Sequence, residues 1–190
     1  MIIIKTPEEL ERMRVSGQMA ARVRDELARA VSPGVTTGEL DGLAQELIAG
    51  MGGRSSFYGY RGFPGHICAS VNDVVVHGIP GSRRIQLGDV VSLDVGVVYD
   101  GFVGDTATTV MVGVSDAEVI RLIRVSEQAL AAGIAKAVAG GRLSDISHAI
   151  EQEVVQAGFS VVRDFVGHGI GRSMHEEPQI PNYGPPGRGP

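Results

Sequence analysis

The chain has 190 residues, a hydrophobic fraction of 43% and a formal net charge of −5, which together predict one folded domain with its own core. The acidic, unclustered charge argues against a protein specific for nucleic acid or anionic membranes. The single cysteine, Cys68, excludes an internal disulfide and is typical of a reducing compartment. No apolar run approaches the roughly 18 residues of a membrane span, and the apolar stretch before Lys5 is too short for a signal peptide. The composition therefore predicts a cytoplasmic protein without membrane attachment.

Two helix signatures open the chain. Thr6 and Glu9 form a capping box with Pro7 at the first helical position, and Thr36 with Glu39 forms a second box. A Gly- and aromatic-rich loop is expected next, at 54–66, followed by two short strand pieces interrupted at Asn72-Asp73 and a hairpin at about 89–112. Two more helices are then expected, one capped by Ser115 and Glu118 and running to about Ala139, the other from Ser144 to Gly158. The chain is expected to end with a strand that begins at Phe159 and enters a Gly-rich turn, and with a terminal loop at 181–190.

The hairpin carries an acidic residue on each strand, in DVGVVYDGFVGD. With Asp100-Gly101 as the two-residue loop, Asp94 faces Ala107 and Asp105 is the diagonal neighbour of Asp94, so both carboxylates lie on one face. Two bare carboxylates that close would repel each other, and a divalent cation would use both as oxygen ligands. The hairpin alone does not favour this metal site over its two alternatives, which are a pair of exposed aspartates on a solvated face and an Asp105 that only caps the turn.

Three histidines are candidates for chemistry. His168 and His175 lie in GHGIGRSMHEEP, where imidazole can ligate a metal or donate to a developing oxyanion; a structural histidine in a glycine turn is the alternative. Of Glu176 and Glu177, at most one can join them, because neighbours on a strand point to opposite faces. His77, in VVVHGIP, either contacts substrate or is a buried structural residue. The lone cysteine is interpreted as a core residue rather than a nucleophile.

A weak internal repeat links residues 6–79 with 115–170. Each copy runs from a long helix through a glycine stop, a shorter helix and a strand to a His-Gly-Ile turn. The acidic hairpin follows the first copy, whereas the second has no counterpart before Pro190. The repeat predicts two similar halves, at about 1–114 and about 115–190.

The sequence resembles type I methionine aminopeptidases in several stretches that have the family's order and spacing. These stretches are NDVVVHGIP, DVGVVYDGFVGDTATT and GHGIGRSMHEEP, together with IIIKTPEELERMRVSG at the start. The resemblance implies an α+β pita-bread fold, in which two pseudo-symmetric helix-plus-hairpin halves pack around an antiparallel sheet. It also implies a single catalytic domain over 1–190 that removes the N-terminal methionine from nascent proteins by two-metal hydrolysis when the next residue is small.

Site residues follow from the same resemblance, position by position. Asp94, Asp105 and His168 match metal ligands, with Asp105 bridging two divalent ions, which Mn, Fe, Co or Zn would suit. His175 matches the donor to the scissile carbonyl and its tetrahedral intermediate, and His77 matches a residue that contacts the substrate near the scissile amide. The residues that match the pocket for the methionine side chain are Phe57, Tyr60, Phe63, Cys68 and Met174.

The resemblance also implies partners and a ligand set that extends past this chain. Asn72 and Val74 match positions whose carbonyls bind a monovalent cation in some members. The family supplies two further glutamate ligands from strands beyond Pro190, so we expect a C-terminally incomplete domain that is poorly soluble and inactive when it is expressed alone. Nascent chains beginning with Met, transient ribosome contact and a monomeric complete protein are expected, without nucleic-acid specificity or membrane binding. A prolidase-like dipeptidase and a non-catalytic pita-bread binding module remain as alternatives.

Overall fold

The computed structural model describes all 190 residues, which fold into helices and antiparallel strands. The chain divides into two compact units, one of Ile3–Ser115 with Ile170–His175 and the other of Met1–Ile2, Asp116–Gly169 and Glu176–Pro190. The first unit contains helices α1 and α2, strands β1 to β4 and a 3₁₀ turn at Tyr60–Gly62; the second contains helices α3 and α4 and strands β5 and β6. No helix is both long enough and apolar enough to cross a membrane. The expected pair of similar halves stays a prediction.

Helices α1 (Pro7–Ala30) and α2 (Thr37–Gly50) begin where the capping boxes predict. In the first box the Thr6 hydroxyl accepts from the Glu9 N–H at 3.2 Å, and a Glu9 carboxylate oxygen accepts from the Thr6 N–H at 3.0 Å. The second box repeats both contacts. Each box satisfies two amide groups that the helix itself leaves without partners, so the sequence fixes both helix starts locally.

A four-stranded sheet organises the first unit. Strand β3 (Val90–Tyr99) pairs along its whole length with β4 (Phe102–Met111). Because one edge of β3 is filled by β4, the other edge takes the short strands β1 (Arg54–Ser55) and β2 (Cys68–Val71). The hairpin register agrees with the prediction, since the two-residue turn places Tyr99 opposite Phe102.

One face of this sheet is apolar and is covered by α1 and α2. Its β3 residues, Val91, Leu93, Val95 and Val97, are fully buried and join the main hydrophobic core with residues of both helices. Gly104 of β4 allows the close approach of α1, because a side chain there would start 2.3 Å from the Ser16 carbonyl oxygen. The alternating pattern of β3 therefore directs its polar residues to the opposite face.

In the second unit, α3 (Ala117–Lys136) packs against α4 (Leu143–Gln156). The predicted cap at Ser115 is wrong, because the Asp116 carboxylate accepts from the Glu118 N–H at 2.8 Å and from the Val119 N–H. The helix also ends at Lys136, three residues earlier than expected. The second helix begins and ends within a residue or two of its prediction, and the terminal loop over 181–190 is confirmed.

Two predicted strands are absent. The stretch from Phe159 to Val166 is irregular, and only Gly167–Gly169 (β5) pairs, with Glu176–Ile180 (β6) and with a bulge after His168. The piece after Asn72-Asp73 is also irregular, because Asn72 and His77 both adopt positive φ and turn the chain at each end of the valine run. β-Branched residues favour strands only where a partner strand is present, and neither stretch has one.

Candidate metal centre and substrate pocket

The two carboxylates lie on the face of the sheet opposite α1. Asp94 is the register partner of Ala107, and Asp105 is the partner of Gly96, so the aspartates are diagonal neighbours as the sequence predicts. Both side chains are half-buried, which is at odds with the alternative of a fully solvated pair.

Burial and the neighbouring carboxylate of Asp105 both raise the pKa of Asp94. Burial, then the negative charge of Asp105 and a hydrogen bond with it, raise the pKa of Asp94 to about 7. Near neutral pH the pair thus holds a proton for much of the time. A divalent cation would replace that proton and remove the repulsion, so the donor chemistry of this pair fits a metal ion.

The third predicted ligand, His168, lies on β5 in the second unit. Its Nδ1 is 3.0 Å from the Gly169 carbonyl oxygen, and because a carbonyl only accepts, Nδ1 carries the proton and Nε2 the lone pair that a metal uses. Glu176 is half-buried and Glu177 exposed, in agreement with their opposite orientation on a strand. No cluster of three or more His, Cys, Asp or Glu side chains is placed to hold an ion, and the role of His168 stays a prediction.

A small apolar cluster lies on the carboxylate face. Its buried members are Phe57, Cys68, Val103 and Met174, with Tyr60, Phe63, Val98 and Ile170 packed against them. Cys68 is the register partner of Asp94, which puts the cluster beside the carboxylates. All five residues expected to line a methionine pocket are thus brought together. Val98 and Ile170 were not foreseen, although strand alternation placed Val98 on this face.

The Cys68 thiol is buried and remains protonated. Burial raises its pKa to about 12, with the negative charges of Asp94, Asp105 and Asp41 acting in the same direction. A thiol held in that state is a poor nucleophile. The structure therefore agrees with its interpretation as a core residue.

His175 is held against an aromatic ring at the edge of this cluster. Its Nδ1 lies 2.9 Å from the Tyr60 hydroxyl oxygen, and the two rings stack with centroids 5.6 Å apart. If the hydroxyl donates, the histidine proton sits on Nε2, which is the form that can donate to a carbonyl oxygen. Sequence reasoning assigned both residues but did not foresee their contact.

His77 is exposed, so its alternative interpretation as a buried structural histidine is wrong. The following residue, Gly78, is fixed to β2: its carbonyl accepts from the Ala69 N–H at 2.9 Å and its N–H donates to the Ser70 hydroxyl at 3.0 Å. A side chain at Gly78 would start 2.3 Å from the Ala69 carbonyl oxygen. The backbone behind His77 is therefore fixed, and its substrate role stays a prediction.

A polar network that the sequence did not reveal begins at Asn72. Its amide donates to buried Asp89 at 2.9 Å, and the Arg83 guanidinium contacts both oxygens of that carboxylate at 3.0 Å. Burial alone would raise the pKa of Asp89, but the hydrogen bonds from Asn72, the Gln86 N–H and Arg83 outweigh it and lower the pKa. The network fixes the turn after β2, whereas the monovalent cation at the Asn72 and Val74 carbonyls stays a prediction.

Comparison with known proteins places these features in a family. Residues 11–189 match metallopeptidase family M24. Methionine aminopeptidase 1 of Bacillus subtilis is 49% identical over 190 residues, which cover all of this chain and 77% of the relative. The methionine aminopeptidase of Clostridium acetobutylicum is 48% identical, with 100% and 76% covered.

Solved structures agree with the sequence comparison. The methionine aminopeptidase of Thermotoga maritima superimposes with a TM-score of 0.95 at 44% identity, over all of this chain and 76% of that one. The prolidase of Pyrococcus furiosus shares the fold alone, with a TM-score of 0.83 at 22% identity over 95% of this chain and 52% of that one. The α+β pita-bread architecture is thereby confirmed, and the chain belongs to the methionine aminopeptidases of metallopeptidase family M24.

Proposed function

We propose that this protein removes the N-terminal methionine from nascent polypeptides by metal-dependent hydrolysis when the second residue is small. One observation carries the proposal: the carboxylates of Asp94 and Asp105 share a sheet face with the apolar cluster around Cys68 and Met174. A reacting centre and a side-chain pocket side by side are what an exopeptidase specific for an apolar first residue needs.

The carboxylates and His168 would hold the metal. When bound, divalent ions lower the pKa of a water toward 7 and polarise the scissile carbonyl. Carboxylate and imidazole donors suit Mn, Fe, Co or Zn. A monovalent cation at the carbonyls of Asn72 and Val74 belongs to the same proposal, supported by the hydrogen bonds that fix that turn.

The apolar cluster would receive the methionine side chain. An unbranched thioether adapts to an irregular apolar site and makes favourable contacts with aromatic rings, and Phe57 and Phe63 meet edge to face with centroids 6.5 Å apart. The neutral thiol of Cys68 adds a polarisable surface without a charge. These contacts support a preference for methionine over charged or branched residues.

His175 would donate a hydrogen bond from Nε2 to the oxyanion that develops on the scissile carbonyl. The Tyr60 hydroxyl at Nδ1 supports this tautomer and orients the ring. A single donor of this kind typically contributes about 3–4 kcal/mol to transition-state stabilisation. His77, exposed on its fixed turn, would contact the substrate near the same bond.

The remaining parts of the proposal concern setting and alternatives. Action on nascent chains that begin with Met is supported by bacterial relatives named methionine aminopeptidases. A cytoplasmic monomer that contacts the ribosome transiently belongs to the same proposal. A prolidase-like dipeptidase is not favoured, because the prolidase similarity is confined to the fold and to about half of that protein. A non-catalytic binding module is not favoured either, because the carboxylate pair and the pocket residues are all present.

Release of free methionine from Met-Ala-Ser tests the function. The full-length protein is assayed with Mn, Fe, Co or Zn beside Asp94→Asn, and beside Asp25→Asn, which removes an exposed carboxylate from α1. We expect the wild type and Asp25→Asn to release methionine and Asp94→Asn to release none. Equal release by wild type and Asp94→Asn, or release by neither, would overturn the proposal.

A further inference from the structure

Ser56 carries the one buried side-chain nitrogen or oxygen in the chain that has no hydrogen-bond partner. The residue is 8% exposed. Buried polar groups nearly always have partners, and an exception marks a strained site, an absent water or ion, or a functional contact. The hydroxyl of Ser56 therefore calls for an explanation.

The surrounding register places Ser56 in a row with Asp105. Its N–H donates to the Gly96 carbonyl at 3.0 Å, which extends the pairing of Ser55 with Val97 by one residue. Across the other edge of β3, Gly96 is the partner of Asp105. Register partners share a face, so the hydroxyl, the glycine and the carboxylate lie side by side on the carboxylate face.

Gly96 leaves open the space between the two side chains. A Cβ built on Gly96 would lie 2.0 Å from the Ser56 hydroxyl oxygen, so that oxygen occupies the space of the absent side chain. Facing Cβ positions on adjacent strands are about 4.5–5.5 Å apart. The hydroxyl is then within reach of the Asp105 carboxylate, either directly or through one water.

The neighbouring serine shows that the local backbone does not need this hydroxyl. The Ser55 hydroxyl donates to the His66 carbonyl at 2.7 Å and accepts from the N–H groups of Phe57 and Tyr58. The loop after β1 is therefore held by Ser55, and alanine would fill the volume of Ser56 equally well.

We infer that Ser56 is a positioning residue for Asp105, donating a hydrogen bond to its carboxylate, directly or through one water, in the metal-loaded centre. The inference rests on the proposed metal-dependent function. Asp105 already shares a hydrogen bond with Asp94, and a donor on the Gly96 side holds the carboxylate from its other side. Partners of this kind orient metal ligands and typically change metal affinity by about 10- to 100-fold.

Titration with Co²⁺, followed by calorimetry and by visible absorption, tests the inference. In Ser56→Ala we expect affinity to fall about tenfold and the absorption to change, because the ligand geometry relaxes. The melting temperature without metal should not fall, because the removed hydroxyl has no partner. The matched control, Ser55→Ala, should melt earlier without metal yet keep wild-type Co²⁺ absorption.

Two results would overturn the inference. The first is a Ser56→Ala variant with wild-type affinity and absorption. The second is a crystal structure of the Co²⁺-loaded protein in which the Ser56 hydroxyl lies farther than about 3.2 Å from both an Asp105 oxygen and any water bound to it. A wild type that binds no Co²⁺ would instead remove the proposed metal centre itself, a failure visible before any variant is made.

Discussion

The two faces of the four-stranded sheet differ in what their residues do, although they alternate along the same strands. On one face Leu93 and its neighbouring valines are fully buried against α1 and α2. On the other face Asp94 and Asp105 are half-buried beside Gly96, a neutral thiol and an unpaired hydroxyl. We therefore propose that the first face supplies stability and the second face the chemistry, so variants should separate the two.

Truncation on the helix-covered face should have the largest effect on folding. Leu93→Ala leaves a cavity under the helices and should lower the free energy of unfolding by about 2–5 kcal/mol. Urea denaturation measures the loss. Co²⁺ affinity at a temperature where the variant stays folded should match the wild type; an affinity that falls with stability would mean that the two faces are coupled.

Removal of the His175 imidazole from the carboxylate face should lower activity without lowering stability. His175→Ala is expected to lower kcat about 100- to 1000-fold, because the proposed oxyanion donor is lost. Metal content, measured by elemental analysis, should stay the same, as should the melting temperature. Metal lost together with activity would instead make His175 a ligand.

The carboxylate pair should make stability without metal depend on pH. Burial and Asp105 raise the pKa of Asp94 above its ordinary value to about 7, so the folded state binds more protons than the unfolded state between about pH 4 and 7. The stability from this group is full below about pH 4 and is lost as pH rises through 7. Thermal melting in chelator should show this loss in the wild type and not in Asp94→Asn.

The smallest expected effect concerns the segment Ile170–His175, which carries two proposed substrate contacts. Arg172 ties this segment to α1 through Glu9 at 3.0 Å and covers the Phe102 ring at 4.5 Å. Since surface ion pairs contribute little, Arg172→Ala should have only a small effect on substrate binding, seen as a KM raised a few-fold. The control Arg14→Ala removes an exposed pair within α1; equal KM values in both variants would contradict the anchoring role.

Sequence reasoning succeeded where the determinants are local. The capping boxes at Thr6 and Thr36 and the Asp100-Gly101 turn fix helix starts and hairpin register within a few residues. Strand alternation then places Asp94 and Asp105 on one face without any knowledge of the rest of the fold.

The sequence predictions that were wrong, and the feature that was missed, depend on contacts between residues that are far apart along the chain. The run at Val74 and the stretch from Phe159 have strand propensity, but no neighbouring strand supplies hydrogen bonds. Ser115 and Asp116 are both good caps, and sequence alone does not choose between them. The orphan hydroxyl of Ser56 arises only because β1 brings it over Gly96.

The central claim is that the carboxylate face takes a divalent cation in place of a shared proton. Calorimetric titration with Mn²⁺ in two buffers of different ionisation enthalpy counts the protons released on binding. At about pH 6, below the pKa of Asp94, binding should release about one proton, and the number should fall toward zero by about pH 8.5. Binding without proton release at about pH 6, or unchanged Mn²⁺ binding in Asp94→Asn, would contradict the account.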